Sequence, residues 1–184
     1  VTQQLTLAVG YGAGISGCGR YRWTLVRPCG GGGPVVCWIM CNPSTADAEQ
    51  DDPTIRRCIR FSRRWGFGSL IVVNLFALRA TDPAVVERTI KQRGLLAAVG
   101  VHNDYHVLRA AQSAELVVAA WGALLQPWTL ERGESIRQRL AAPLRRDERR
   151  ELWCLGKNSD GSPKHPLARS KARVPDDVQL TRWP

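Results

Sequence analysis

The chain has 184 residues, 44% of them hydrophobic, and a formal net charge of +10 from 26 Lys and Arg against 16 Asp and Glu. That size and apolar content suit one compact domain spanning 1–184, and no apolar run is long enough for a bilayer-spanning helix. The first 14 residues lack the basic start and apolar centre of a signal peptide, so a monomeric, cytoplasmic protein is expected.

Of the 26 cations, 22 are arginine, whose planar fork suits phosphate better than a lysine point charge does. The imbalance favours a polyanionic partner over a merely solubilising surface. Six cysteines stand at 18, 29, 37, 41, 58 and 154 with no CxxC pair and no cysteine–histidine grouping of zinc spacing. They read as small buried hydrophobes, with a metal site through Cys18, Cys29, Cys37 and Cys41 as the weaker alternative, so neither metal nor cofactor is expected.

In chain order, RYRWTLVR at 20–27 alternates as a strand with Tyr21, Trp23 and Leu25 on one face. Paired with residues 4–9 across YGAGISGCG, it predicts an N-terminal hairpin, and CGGGGP at 29–34 reads as a flexible joint to a core over 34–170. A phosphate-loop reading of those glycines fails because no GK[ST] follows. VVCWIM then reads as a strand buried on both faces, running straight into CNPSTAD. DDPTIRRCIRFSRRWG reads as a helix with Asp52 as cap, Pro53 in the first turn and Gly66 as stop, and with a basic outer face. SLIVVNLFAL is a second buried strand, with an asparagine in its middle, and TDP at 81–83 repeats the Asp–Pro helix start. A helix near 103–112, the strand ELVVAAWG, the helical PWTLERGESIRQRLAAPL and the strand ELWCLG complete the pattern. Repeated strand–helix units predict a three-layer α/β/α sandwich around a mainly parallel, four-stranded sheet, with the ligand beyond the carboxyl ends of the strands.

Those four strand ends carry Asn42-Pro43-Ser44-Thr45, Asn74, Trp121-Gly122 and His165-Pro166. In this order they resemble the uracil-DNA glycosylase superfamily. It has an Asp or Asn followed by proline after its first strand, an asparagine in a later strand, a strand ending in WG and a terminal His-Pro loop. The likeness spans residues 35–167. CNPSTAD, DDPTIRRC, VVNLFALRATDP and GSPKHPL resemble more closely an uncharacterised bacterial and phage domain family with no assigned function.

The glycosylase resemblance implies a DNA base glycosylase without cofactor. In it Asn42 orients a water, His165 stabilises the departing base, and Asn74 reads a flipped base with Pro43, Ser44, Thr45, Trp121 and Gly122 around it. Asp47 is a candidate base near the water, and Asp52 a helix cap. Arg56, Arg57, Arg60, Lys164 and Arg169 are the candidate DNA phosphate contacts. Three departures from the pattern matter. Ser44 replaces the tyrosine that excludes methylated pyrimidines, Leu167 replaces the serine after His-Pro, and Leu78 stands near the cysteine of the iron–sulfur branch. Two rivals share these residues: an enzyme of free nucleotides or modified nucleosides, and a non-catalytic DNA-binding module.

Overall fold

The computed structural model describes residues 12–44, 49–142 and 150–184. Its centre is a seven-stranded mixed sheet, whose strands in chain order are β1 (Gly12–Ile15), β2 (Arg22–Pro28), β3 (Val35–Met40), β4 (Ser69–Asn74), β5 (Leu116–Ala119), β6 (Leu152–Cys154) and β7 (Thr181–Arg182). Their spatial order is β1-β2-β4-β3-β5-β6-β7. The four predicted core strands, β3 to β6, run parallel. The sheet is wider than the expected four strands because β1 and β2 extend it on one side and β7 on the other, all antiparallel.

The helices are α1 (Pro53–Arg64), α2 (Pro83–Arg93), α3 (Leu95–Val99), α4 (Asn103–Ser113) and α5 (Trp128–Ala141). Strand alternation divides the core into two layers. Val36, Trp38, Met40, Leu70, Val72 and Val118 face α1, through Ile55, Cys58 and Phe61. Cys37, Ile39, Ile71, Val73, Val117 and Ala119 face α2, α4 and α5, through Val86, Val107, Ile136 and Leu140. Inside the first layer Trp38 Nε1 donates to Ser62 Oγ (3.0 Å), which donates to the Cys58 carbonyl (2.8 Å), so the buried indole also fixes the rotation of α1.

Both Asp–Pro starts cap their helices. Asp52 accepts from the Ile55 N–H and Asp82 from the Ala84 N–H, each at 2.9 Å. Asp51 has a separate use: its carboxylate pairs with the buried Arg27 at 2.6 Å and so ties β2 to the start of α1.

Three expectations need correction. The first strand of the hairpin is Gly12–Ile15, inside the stretch expected to be its turn; residues 4–9 lie outside the described residues. Tyr21, Trp23 and Leu25 do not share a face. Arg22 pairs with Ile15 and Thr24 with Gly14, so Trp23 is an extra residue that breaks the alternation. Tyr21 and Trp23 then stack towards α4, with Trp23 5.5 Å from His106, while Leu25 packs in the α1 layer. The glycine-rich joint is not loose either. Cys29 N–H donates to Gly68 O (2.8 Å) and Gly68 N–H to Pro34 O (3.0 Å), clamping 29–34 onto the turn before β4.

Gly133 sits inside α5, where helix propensity alone favours alanine by about 0.8–1 kcal/mol. A methyl there, however, would overlap the ring of the buried Trp121. Gly133→Ala is therefore expected to lower stability by roughly 1–3 kcal/mol in urea unfolding, opposite in sign to the propensity effect.

Candidate active site

Two connections leave the parallel strands on opposite faces. The β3–β4 link runs through α1 on one face, and the β5–β6 link through α5 on the other. Beyond such a divergence the strand ends leave a crevice, the usual ligand position in α/β sheets. Here a pocket of about 390 Å³ opens between those ends and the first turn of α1. Its walls include Asn42, Ser44, Asn74, Trp121 and His165, brought together from four separate strand ends.

The Asn-Pro turn after β3 is sewn to the segment following β4. Leu75 and Phe76 N–H donate to the Met40 and Cys41 carbonyls (2.9 and 3.0 Å), and Ala80 N–H to Pro43 O (2.8 Å). Asn42 closes the seam, its Nδ2 donating to Ala80 O at 2.8 Å and Pro43 O at 3.1 Å. Two carbonyls on one side fix the amide orientation, so the nitrogen is committed and Oδ1 remains as acceptor.

Asn74 ends β4 on the α1 face and is 1% exposed. Among the described residues, neither its Oδ1 nor its Nδ2 has a hydrogen-bond partner. Its backbone is held firmly: the buried Asn103 donates from Nδ2 to Asn74 O (2.8 Å) and Leu75 O (3.2 Å). A fixed backbone carrying an unpaired buried amide on a pocket wall is what a reader of a polar ligand requires.

His165 is set by its loop. Leu167 N–H donates to its Nδ1 at 3.1 Å, so the neutral ring carries its proton on Nε2. Burial lowers its pKa from the usual histidine value, and the Asp52 carboxylate opposes part of that shift. The cation would need a proton on Nδ1 and would lose the Leu167 bond, so burial and loop geometry favour the same neutral tautomer. Gly122 backs this loop with φ +76°, and a methyl on it would lie 3.1 Å from His165 Cβ.

Other predicted residues lie elsewhere. Pro43 and Gly122 shape the pocket through backbone bonds, Gly122 N–H donating to Pro163 O at 3.0 Å. Thr45 and Asp47 lie outside the described residues. Arg57 is taken up by the fold: it donates to Val174 O (2.6 Å), pairs with Asp176 (2.8 Å) and packs over Phe61, clamping the C-terminal segment onto α1. Arg56 and Arg60 on the outer face of α1 and Arg169 beyond the His-Pro turn are exposed, and Lys164 is half-buried. A neighbouring groove lined by Pro53, Leu167, Arg169 and Arg173 continues from the pocket mouth. The larger cavity, about 600 Å³ at the β6–β7 edge, has its arginines in use: Arg182 pairs with Glu151, Arg137 with Glu134, and Arg150 donates to Gln112 O and Ala114 O. Size therefore does not mark the site; convergence at the strand ends does.

Sequence reading missed Arg22 altogether. It lines the pocket at 2% exposure. Because β2 is antiparallel to β4, its first residue arrives where the parallel strands end, whereas the strand-end motifs all follow carboxyl ends. An arginine on the opposite parity to Tyr21 and Trp23 was the available signal.

The family model described as "Protein of unknown function (DUF1643)" matches residues 22–167. The chain belongs to the DUF1643 family. No curated protein and no solved structure matches it. The DUF1643 match begins on Arg22 and ends on Leu167, both pocket-lining residues, so it encloses the whole candidate site. No helix among the described residues is long and apolar enough to cross a membrane.

For His165, nitrogen-detected NMR at neutral pH is expected to show the Nε2–H tautomer and a pKa below about 6.5. A ring that titrates at or above that value, or carries its proton on Nδ1, contradicts the site as described.

Proposed function

We propose that the protein is a DNA base glycosylase that hydrolyses the N-glycosidic bond of a damaged or modified base turned out of the helix into this pocket. The observation that carries the reading is the convergence of Asn42, Asn74 and His165 on one pocket, with the Asn74 amide buried and without a partner among the described residues. The ordered strand-end motifs that resemble the uracil-DNA glycosylase superfamily support it from the sequence side.

The chemistry divides among the three residues. Asn42 presents Oδ1 to orient a water towards the anomeric carbon. As the C1′–N bond breaks, the sugar becomes oxocarbenium-like and the base leaves as an anion. His165 Nε2–H donates to that anion, an oxyanion-hole role in which a neutral donor is the useful form. The C1′–O bond forms with the water, whose proton passes to solvent because an amide cannot retain it. Asn74 offers one donor and one acceptor to the base edge. Exposed Arg56, Arg60 and Arg169 hold phosphates, whereas Arg57 is spent on the fold.

The test is a single-turnover base-release assay over DNAs carrying deaminated, alkylated and hypermodified bases. His165→Ala is expected to slow release by roughly 10²–10³-fold, with Asn42→Ala also strongly impaired and DNA affinity little changed in both. Arg60→Ala and Arg169→Ala should each flatten the log K against log[salt] slope by about 0.7–0.9 while leaving the chemical step intact. Salt-sensitive binding with no base released from any DNA would point to a binding module instead.

A further inference from the structure

Hydrolysis at C1′ needs an acceptor for the proton that the attacking water gives up, and the pocket wall supplies few. Ser44, Thr54 and Thr81 offer hydroxyls, which are no better proton acceptors than the water itself. Burial pushes the Cys41 thiol up to about 12, so at neutral pH it keeps its own proton. Arg22 is a cation without an acceptor atom. Neutral His165 carries its proton on Nε2 and spends Nδ1 on the Leu167 N–H. Asn42 can orient the water but cannot retain its proton.

Asp52 is the one carboxylate among the described residues of this wall. Its neighbour Asp51 is committed to the buried Arg27, whereas Asp52 makes no ion pair among the described residues. Its bond from the Ile55 N–H, at 2.9 Å, engages Oδ1 and fixes the side chain against the first turn of α1. An ionised carboxylate has about four lone-pair sites on its two oxygens, so capping leaves most of its accepting capacity in hand, Oδ2 included. The carboxylate is also close enough to His165 to hold up part of the ring's pKa against burial. A negative charge and a neutral N–H donor therefore stand together in one pocket.

We propose that Asp52 is the catalytic general base of this site: its Oδ2 takes the proton of the water that Asn42 orients, while the cap on Oδ1 holds the carboxylate in place. This rests on the glycosylase reading of the same pocket. As the water oxygen bonds to C1′, one of its O–H bonds breaks and the proton moves to Asp52. The C1′–N bond breaks with its electron pair on the base, which His165 stabilises. The sugar has then gained a hydroxyl, the base anion takes up a proton from solvent, and Asp52 returns its own proton to solvent. The same negative charge favours the oxocarbenium-like sugar on the way.

Substitution separates the cap from the base. Asparagine and serine cap a helix about as well as aspartate does but cannot hold the proton. Asp52→Asn and Asp52→Ser are compared with wild type in single-turnover release from duplexes carrying uracil, hypoxanthine, xanthine or an alkylated purine. Release should fall by roughly 10²–10⁴-fold in both, with the urea midpoint close to wild type. DNA affinity should be equal or slightly higher, since a negative charge has gone. Asp52→Gly should regain part of its lost rate with sodium formate and none with sodium chloride at the same concentration, because formate restores an acceptor carboxylate. A wild-type rate in Asp52→Asn would overturn the proposal and leave the glycosylase reading standing. So would a loss confined to DNA affinity, or a slowing that follows a lowered unfolding midpoint. If wild type releases no base from any of these duplexes, both fail.

Discussion

A primary amide sealed into the end of a buried strand, paired to nothing among the described residues, is the constraint around which this fold is arranged. Leaving a buried polar group unpaired costs about 1–3 kcal/mol, a sizeable share of the total stability of a domain this size. Asn74 is preceded by Leu70, Ile71, Val72 and Val73, all buried, so the apolar strand that carries it also prevents it from reaching water. Its carbonyl is held by Asn103, which sits in a buried layer with Arg132; Arg132 in turn pairs with Asp104. The amide is buried and finds no hydrogen-bond partner among the described residues. A ligand that completes its bonds removes that deficit.

The polar residues around this point divide into those that build the site and those left to act in it. Asp51, Asp52 and Arg57 look functional in a list of charges, yet each has a structural partner: Arg27, the Ile55 N–H, and the Val174 carbonyl with Asp176. The Asn42 nitrogen and His165 Nδ1 are likewise committed, to Ala80 O and to Leu167 N–H. What remains on the pocket side includes Asn42 Oδ1, His165 Nε2 and the Asn74 amide. The commitments leave Asn42 an acceptor and His165 a donor, while the Asn74 amide keeps both polarities.

Much of the fold was legible because local rules sufficed. Asp–Pro starts marked α1 and α2, continuous apolar runs marked the parallel strands, and strand-end chemistry marked the pocket walls. What escaped depended on tertiary context. The extra residue at Trp23 reverses the alternation of β2, and single-strand periodicity cannot reveal a mismatch that exists only against a partner strand. The glycines at 30–33 read as loose, but Gly33 lies against Gly68, where a Cβ would meet backbone at 2.9 Å, and Gly30 and Gly31 take positive φ. α3 and β7 are too short to leave a period, and the arginine pattern of α1 could not show that Arg57 is clamped to a segment more than 100 positions away. Arg22 was missed because an antiparallel strand delivers its beginning, not its end, to the ligand side of the sheet.

If the Asn74 amide is retained for a ligand, it is a liability to the free protein. The most direct measurement is the urea unfolding of Asn74→Leu, a change of similar size that removes the unpaired polar atoms, alongside base release or base binding by the same variant. The account predicts a higher unfolding midpoint with an unchanged m-value, together with loss of ligand recognition. A lower midpoint would show that the amide stabilises the fold, and would contradict its assignment as the residue that reads the ligand.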